Sequence, residues 1–256
     1  MNWMNIADQD EKHFLKMVTE YNEKSSSQYR MLATAFYNRD WMEEVLQRHG
    51  LWAQLEAYTF LGGHSYAERQ VLAFGYEASY MDCPIVALKV TVKTGIGKPL
   101  GHRDFLGALL GLGIKRETIG DIISTDFGAY VIVEREIGDF IAVHLTGIGR
   151  YQKIIIEPIP FEAMMIPKLE TKTITGTVPS LRVDAIFALA FGVSRSEVVK
   201  LIDQERGKVN GMAVKSSQLM KVGDTGTLRG YGKMRVAELK GYTKKDRMHL
   251  IIEKYI

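Results

Sequence analysis

Residues 181–230 contain the pattern that most restricts the fold of this chain. Gly192 stands where a helix would end in the left-handed conformation, and Ser194 with Glu197 forms a capping-box pattern that starts a second helix. Asn210-Gly211 then predicts a tight type I′ turn between two strands, because both residues tolerate a positive φ. The sequence therefore predicts helix, turn, helix and β-hairpin within one small domain.

The same order of parts resembles the alpha-L RNA-binding domain, a small module found in many RNA-handling proteins. Four segments carry the resemblance: Leu181-Arg182-Val183-Asp184, Ser194-Arg195-Ser196-Glu197, Lys208-Val209-Asn210-Gly211 and Val222-Gly223-Asp224. The resemblance implies that the partner is structured RNA, recognised through its shape and phosphates more than through base edges.

The charge distribution supports a nucleic-acid partner for the C-terminal third. Residues 171–256 hold 16 Lys and Arg against 8 Asp and Glu, whereas residues 1–170 hold 17 against 22. A basic segment on an acidic body is typical of a module that binds nucleic acid. A basic face that is merely solvated remains the alternative on charge alone.

Within this domain we expect basic and polar side chains to contact RNA. Asp184 is predicted to pair with a nearby arginine, and Ser194 is predicted to cap a helix. For Tyr231, stacking on a base and packing in the core are both open, and Ser196 is either a phosphate donor or simply exposed. The predicted RNA contacts are Arg182, Arg195, Ser196, Lys200, Lys208, Asn210, Lys215, Arg229 and Lys233.

The rest of the chain predicts two further regions and an α+β fold. Residues 1–65 carry apolar residues at helical spacing, so we expect a helical N-terminal region. Residues 66–160 alternate strand-like and helix-like segments, which indicates a split βαβ, ferredoxin-like layer similar in architecture to RNA-recognition modules. Prolines concentrate after residue 157, so residues 161–178 are predicted to be a linker and residues 179–256 the C-terminal domain.

A second resemblance covers essentially the whole chain. The segments Leu100–Gly107, Leu110–Arg116 and Ile119–Ile122, with Gly62-Gly63 and Ala67-Glu68-Arg69 upstream and the C-terminal domain, resemble the bacterial YlmH-like family. The resemblance implies a non-enzymatic RNA-binding protein that acts on the ribosome, with rRNA or tRNA as its partner and the large subunit as the expected site. It also suggests a second RNA surface in the middle domain, formed by His102, Arg103, Lys115 and Arg116. A helix-to-sheet packing role is the alternative for His102 and Arg103.

Several enzyme classes lack their motifs in this chain. His102-Arg103-Asp104 is not followed by the asparagine of a kinase catalytic loop, and Pro99 stands where a phosphate-binding loop needs a hydroxyl. The alternatives are an RNA-modifying enzyme of the pseudouridine synthase or methyltransferase class, and a DNA-binding regulator that uses the helix pair as a helix-turn-helix.

No cofactor, metal or membrane span is predicted. Cys83 is the only cysteine, which excludes an intramolecular disulfide and a cysteine-rich zinc site, and the six histidines lack metal-ligand spacing. The N-terminus lacks signal-peptide features, and no apolar run approaches the length of a membrane span. We therefore expect a cytoplasmic protein.

Overall fold

The computed structural model describes residues 6–28, 31–75, 83–92, 100–166 and 170–256. The chain forms two compact units, Met1–Ile166 and Pro167–Ile256. Helices and antiparallel sheets occur in both units, which confirms the predicted α+β class.

The first part of unit 1 combines two helices with a small sheet. The helices are α1 (Gln9–Gln28) and α2 (Arg39–Arg48), and the strands are β1 (Leu32–Ala33), β2 (Tyr37–Asn38), β3 (Tyr58–Leu61) and β4 (Arg69–Phe74). β4 pairs antiparallel with all three of the others. The helical prediction for residues 1–65 is therefore incomplete. These strands are two to four residues long, too short for an alternating pattern, and they form because β4 supplies their pairing.

The second part of unit 1 is a four-stranded antiparallel sheet with two helices. Its elements in chain order are β5 (Ile85–Val92), α3 (His102–Gly111), β6 (Ile119–Thr125), β7 (Gly128–Glu134), α4 (Arg135–His144) and β8 (Ile154–Ile159). The strands lie in the order β6-β7-β5-β8, so two strand–helix–strand units interleave. Both helices contribute to one core, in which Phe105, Leu109 and Ile141 join Leu88 and Val131.

The opposite face of this sheet is covered by the N-terminal part of the unit. Tyr130 and Ile132 on β7 form a second core with Phe36 and Val71. The approach is so close that a Cβ at Gly120 would lie 2.6 Å from the Phe36 ring. RNA-recognition modules use this face of the sheet to stack bases. In this chain apolar side chains bury that face, so it is not open to stack bases.

Two predicted domain boundaries differ from the observed structure. The boundary at residues 65 and 66 separates β3 from β4, yet these strands pair along their length. The predicted linker, residues 161–178, contains β9 (Thr171–Val178), which pairs with the last strand of the chain, β14 (Met248–Tyr255). The prolines indicate a linker here, but they do not interrupt β9, whose partner lies some seventy residues away.

Unit 2 contains the helix, turn, helix and hairpin that the sequence predicts. Helix α5 (Val183–Phe191) ends at Gly192, and α6 (Arg195–Asp203) is followed by β10 (Gly207–Val209), β11 (Met212–Ala213), β12 (Thr225–Leu228) and β13 (Gly232–Tyr242). With β14 and β9 these strands form one sheet in the order β11-β10-β12-β13-β14-β9. The helices pack on its inner face, where Phe187 and Val198 meet Met234, Val236 and Leu250.

The residues that define the turns of unit 2 adopt the expected conformations. Gly192 has a φ of 69°, and the Ser194 hydroxyl accepts a hydrogen bond from the backbone N–H of Glu197 at 3.2 Å. Asn210 and Gly211 both have positive φ, at 49° and 77°. Short-range signals therefore determine this part of the fold.

Within the described ranges, no helix is both long and apolar enough to span a membrane.

Candidate nucleic-acid interface

Two arginines of unit 2 converge on one buried carboxylate. Arg182, the N-cap residue of α5, donates from Nε and Nη2 to the two oxygens of Asp184 at 3.1 and 3.3 Å. Arg195, the first residue of α6, donates from Nη2 to Asp184 Oδ2 at 2.7 Å. The Asp184 side chain is 5% exposed, whereas those of Arg182 and Arg195 are 37% and 48% exposed. The carboxylate thus orients two guanidinium groups that remain open to solvent.

The side chain of Asp184 remains ionised in this setting. Burial by itself raises the pKa of its carboxyl, but the hydrogen bonds and positive charges of Arg182 and Arg195 outweigh burial and lower the pKa overall. One carboxylate cannot neutralise two guanidinium groups, so the cluster keeps a net positive charge. The predicted pairing of Asp184 with an arginine is confirmed, and it involves two arginines.

The start of α6 extends this positive cluster. Ser196 Oγ lies 3.0 Å from Ser194 Oγ, and both side chains are exposed. Lys200 is also exposed and lies one helical turn after Ser196, on the same side of the helix. We call the set Arg182, Arg195, Ser196 and Lys200 the arginine surface.

A loop after β11 packs against the start of α5 and brings Lys215 into the same region. Ser216 O accepts a hydrogen bond from the backbone N–H of Asp184 at 3.1 Å, and Gln218 O accepts one from Val183 at 2.8 Å. Lys215 begins this loop and is exposed. Lys215 thus lies one residue from the segment that holds Asp184.

Lys208 and Lys233 lie on another side of unit 2. Lys208 on β10 pairs with Thr227 on β12, and Thr227 pairs with Lys233 on β13, so the three side chains form one row across the sheet. Their chain neighbours Val209 and Met234 are buried in the core under the helices. Side chains alternate between the faces of a strand, so this row projects from the face opposite the helices. The structure therefore separates these two lysines from the arginine surface.

The structure assigns the side chain of Asn210 to the hairpin. Its Nδ2 donates to Asp224 Oδ1 at 2.9 Å, and its Oδ1 accepts from the backbone N–H of Thr225 at 2.9 Å. Both polar atoms of the amide are engaged within the protein. Asn210 therefore holds the turn, and a contact of its second Nδ2–H group with RNA stays a prediction.

The turn between β12 and β13 holds Arg229 and Tyr231. Arg229 is exposed, and its carbonyl accepts a hydrogen bond from Arg206 Nη2 at 2.8 Å. Tyr231 packs against the core of unit 2, with its ring centroid 6.4 Å from that of Phe191. Of the two interpretations left open for Tyr231, core packing fits the structure.

The four predicted contacts of unit 1 cluster at the start of α3 and before β6. His102 and Arg103 are exposed in the first turn of α3, and Lys115 is exposed before the short helix Arg116–Thr118. Arg116 is half-buried, and its Nη1 donates to the backbone oxygen of Ile119 at 2.5 Å. Burial, followed by the charge of Arg116, lowers the pKa of His102. His102 lies at the start of α3, which packs on β6 in the core that contains Phe105 and Ile119.

Sequence reasoning missed Arg69 as part of this cluster. Its Nε donates to Ile119 O at 3.0 Å and its Nη2 to Phe36 O at 2.5 Å. Burial, and then the positive charge of Arg116, lowers its pKa to about 10. Arg69 belongs to a segment that carries the family resemblance, Ala67-Glu68-Arg69, but no local signal predicts its contacts, because its partners lie far from it in the sequence.

Among the described residues, no group of three or more His, Cys, Asp or Glu side chains is placed to hold a metal ion.

Three comparisons relate this chain to known proteins. The family model described as "Putative RNA-binding domain in YlmH" matches residues 96–163. The "Ribosome-associated protein quality control protein P2" of Bacillus subtilis (strain 168) is 30% identical over 249 residues, which cover 96% of this chain and 95% of that protein. The solved structure of the cell division protein ylmH from Streptococcus pneumoniae covers 64% of this chain and 98% of its own, with 17% identity and a TM-score of 0.48. By its identity over nearly its full length, the chain belongs to the YlmH-like family.

Proposed function

We propose that this chain is an RNA-binding protein that acts on the ribosome. Its partner would be structured RNA, either rRNA or tRNA, on the large subunit, and its role would lie in translation or in ribosome quality control. The matching family model is described as an RNA-binding domain, and the Bacillus subtilis relative is named as ribosome-associated and as a quality control protein.

The observation that carries the proposal is the Arg182–Asp184–Arg195 cluster. A guanidinium group grips phosphate through two parallel N–H donors, and a fixed orientation reduces the entropy lost on binding. Arg182 directs two donors and Arg195 one donor to Asp184, so both retain N–H groups for an anion. We interpret unit 2 as an alpha-L RNA-binding domain, and the arginine surface as its primary contact with RNA phosphates.

We further propose that the chain acts by binding and not by catalysis. Asp184 is the buried carboxylate closest to the predicted contacts, and its lowered pKa makes it a poor proton donor or acceptor near neutral pH. Its two arginine partners explain its burial without a catalytic role. The alternative, an RNA-modifying enzyme, predicts a chemical change in RNA after incubation with the protein. A methyltransferase supplied with a methyl donor would raise the mass of the RNA. A pseudouridine synthase would isomerise uridine without a change in mass, which pseudouridine-specific chemical labelling detects.

A DNA-binding regulator is the less favoured alternative. In a helix-turn-helix the second helix enters the major groove. In α6, Val198, Leu201 and Ile202 are buried against the rest of unit 2, and β10 starts only four residues after the helix ends. Comparing the affinity for an RNA hairpin with that for duplex DNA at one salt concentration separates the two. A preference for DNA would reject our proposal.

Sedimentation with ribosomes tests the proposal directly. The intact chain should co-migrate with large ribosomal particles in a sucrose gradient at moderate salt. A variant with Arg195→Gln and Lys200→Gln should move to the top fractions, because it loses two phosphate contacts and leaves Asp184 paired with Arg182. The control, Lys244→Gln with Lys245→Gln, makes the same charge change at two exposed positions in the turn between β13 and β14.

The outcomes separate the two parts of the proposal. If the unmodified chain stays at the top of the gradient but binds a small RNA hairpin, its ribosomal role is wrong and RNA binding stands. If both double variants lose sedimentation equally, general charge drives the association and the arginine surface has no special part in it.

A further inference from the structure

Two guanidinium groups of unit 1 converge on a single backbone oxygen. Arg69 Nε donates to Ile119 O at 3.0 Å, and Arg116 Nη1 donates to the same oxygen at 2.5 Å. Arg69 Nη2 also reaches Arg116 O at 3.4 Å. Two like charges are therefore held side by side at the first residue of β6.

These groups are neutralised only in part by their surroundings. In the described part of the chain, their hydrogen bonds go to backbone carbonyls, and none goes to a carboxylate. The nearest acid is Asp121, whose oxygens accept the backbone N–H groups of Glu68 and Arg69 at 2.7 and 3.1 Å. Asp121 Oδ2 also lies 3.2 Å from His64 Nε2. Its carboxylate is thus shared among other donors.

The pKa shifts of Arg69 and Arg116 agree with this geometry. Burial lowers the pKa of both guanidinium groups, and the charge of Arg116 lowers that of Arg69 further. The charge of Asp121 raises the pKa of both groups, and the charge of the exposed Glu117 raises the pKa of Arg69 more weakly. A pair of half-buried cations with one shared acid is a site that an external anion would stabilise.

Donors suited to such an anion remain at the site. Among the described residues, Arg116 Nε and Nη2 and Arg69 Nη1 make no hydrogen bond within the protein. His102 is exposed at the start of α3, whose residue Phe105 packs with Ile119 in one core. The exposed Arg103 and Lys115, which follow His102 and precede Arg116 in the chain, add positive charge. Phosphate matches this set because its oxygens can accept from several donors at once.

We infer that Arg69, Arg116 and His102 form an anion-binding site that takes a phosphate group of RNA. This inference rests on the proposed function for the identity of the anion, since an RNA-binding chain meets phosphate in its partner. It also gives unit 1 a route to RNA that does not need the sheet face, which Phe36 and Val71 cover. Arg69 lies outside the matched family segment, residues 96–163, so the site extends beyond that segment.

Titration of the intact chain with inorganic phosphate tests the site. The NMR signals of the Arg69 and Arg116 side chains and of the His102 ring should shift and saturate, at an ionic strength kept constant with chloride. Arg116→Gln should weaken phosphate binding by about tenfold or more, the loss expected for hydrogen bonds to a charged group. His102→Ala, at an exposed helix start, should weaken it less and should not alter the melting temperature.

Lys153→Gln is the matched control, because Lys153 is an exposed residue of the same unit that lies before β8. It should leave phosphate binding unchanged. A loss of binding in Lys153→Gln equal to that in Arg116→Gln would overturn the site, since the effect would then reflect general charge. If Arg116→Gln unfolds the protein, the His102→Ala result decides, and unchanged binding in that variant removes His102 from the site.

RNA is then added to the phosphate-saturated protein. An RNA hairpin without terminal phosphates should displace phosphate from Arg116 and His102, which supports an internal RNA phosphate as the occupant. Displacement only by a 5′-phosphorylated hairpin supports a terminal phosphate. Saturable phosphate binding that no RNA displaces overturns RNA as the occupant.

The remaining outcomes separate this inference from the proposed function. If RNA binds but the Arg69, Arg116 and His102 signals never respond to phosphate, the site is wrong and the RNA-binding proposal stands. If phosphate binds at these residues and the chain binds no RNA, the proposed function is wrong, and so is the RNA phosphate that we infer.

Discussion

The two arginine pairs of this chain are held by different kinds of acceptor. In unit 2, Arg182 and Arg195 share the carboxylate of Asp184. In unit 1, Arg69 and Arg116 share the backbone oxygen of Ile119. Both arrangements orient guanidinium groups, but only the first supplies a buried countercharge within the pair itself.

The type of acceptor determines how each arginine pair contributes to the stability of its unit. Asp184 is nearly fully buried and depends on both arginines for its hydrogen bonds, so the unit 2 pair stabilises a charge that is already there. The unit 1 pair instead joins strands and loops through neutral carbonyls, and keeps more positive charge for a ligand. We therefore expect substitutions of the unit 1 pair to reduce stability and phosphate binding, and those of the unit 2 cluster to reduce stability and RNA binding.

The largest effect should follow from Arg69→Met. The change keeps an unbranched apolar stem but removes the donors to Ile119 O, Phe36 O and Arg116 O, which join three segments of unit 1. Arg116 still donates to Ile119 O, but the loss of the remaining charge-assisted hydrogen bonds should cost roughly 3 kcal/mol of unfolding free energy. Chemical denaturation of the unmodified and Arg69→Met proteins measures this loss of unfolding free energy. A loss below about 1 kcal/mol would show that water replaces these hydrogen bonds and that the pair has little structural role.

Asp184→Asn should cost about 2 kcal/mol of unfolding free energy, because it removes a charge-assisted acceptor shared by two arginines. The substitution also changes how the unfolding free energy depends on pH. The pKa of Asp184 is lowered in the folded protein, so its contribution is complete above its ordinary pKa of 3.8 and is lost as pH falls through the lower folded value.

Denaturing the unmodified and Asp184→Asn proteins at a series of pH values, from neutral into this acid range, checks the direction of the pH dependence. The stability difference between the two proteins should shrink as the pH falls below 3.8. A difference that stays constant over that range would mean that the ion pair is not its source.

Arg195→Glu should weaken binding of an RNA hairpin by about 2 kcal/mol, from a lost phosphate contact and added repulsion. For the unmodified chain, about five phosphate contacts predict a slope of roughly −3 to −5 for log affinity against log salt, and this variant should flatten that slope by about one. Affinity measured over a salt series tests both. A sharp fall in melting temperature with unchanged affinity would assign Arg195 to the fold alone.

The smallest effect should come from Ser194→Ala, which removes the hydroxyl that caps α6. Loss of such a cap costs about 1 kcal/mol of stability. RNA affinity should change less than in Arg195→Glu, because Ser194 lies beside the arginine surface and holds its helix. Thermal unfolding and the same RNA titration measure the two effects, and a larger loss of affinity than of stability would make Ser194 a contact residue.

Local patterns predicted most elements of unit 2 and of residues 83–159 well, and the small N-terminal sheet poorly. The helices and the hairpin of unit 2 depend on Gly192, Ser194 and Asn210, whose signals act within a few residues. The strands β1, β2 and β3 are short and depend on pairing with β4, so no short window reveals them. The strand β9 was missed for another reason, because the prolines around it were interpreted as a linker. The alternating threonines at 171, 173, 175 and 177 were a readable strand signal within the predicted linker.

The candidate RNA contacts were likewise predicted well where local signals mark them, and poorly where the register of the sheet sets their position. Sequence reasoning named Arg182 and Arg195 and expected Asp184 to pair with an arginine, because these residues flank short helix signals. It placed Lys208 and Lys233 in the same group, although the register of the sheet sets them on another face.

The sequence by itself determined the α+β class, the helix–turn–helix–hairpin order and the basic character of residues 171–256, since composition and short-range conformational preferences act along the chain. Tertiary structure alone decided which cations meet. Arg69 joins Arg116 because both reach Ile119 O, and the sheet face of unit 1 is closed because Phe36 packs onto Gly120. The physical reason is that hydrogen-bond partners and packing contacts distant in sequence are set by strand register and core packing, which no local pattern encodes.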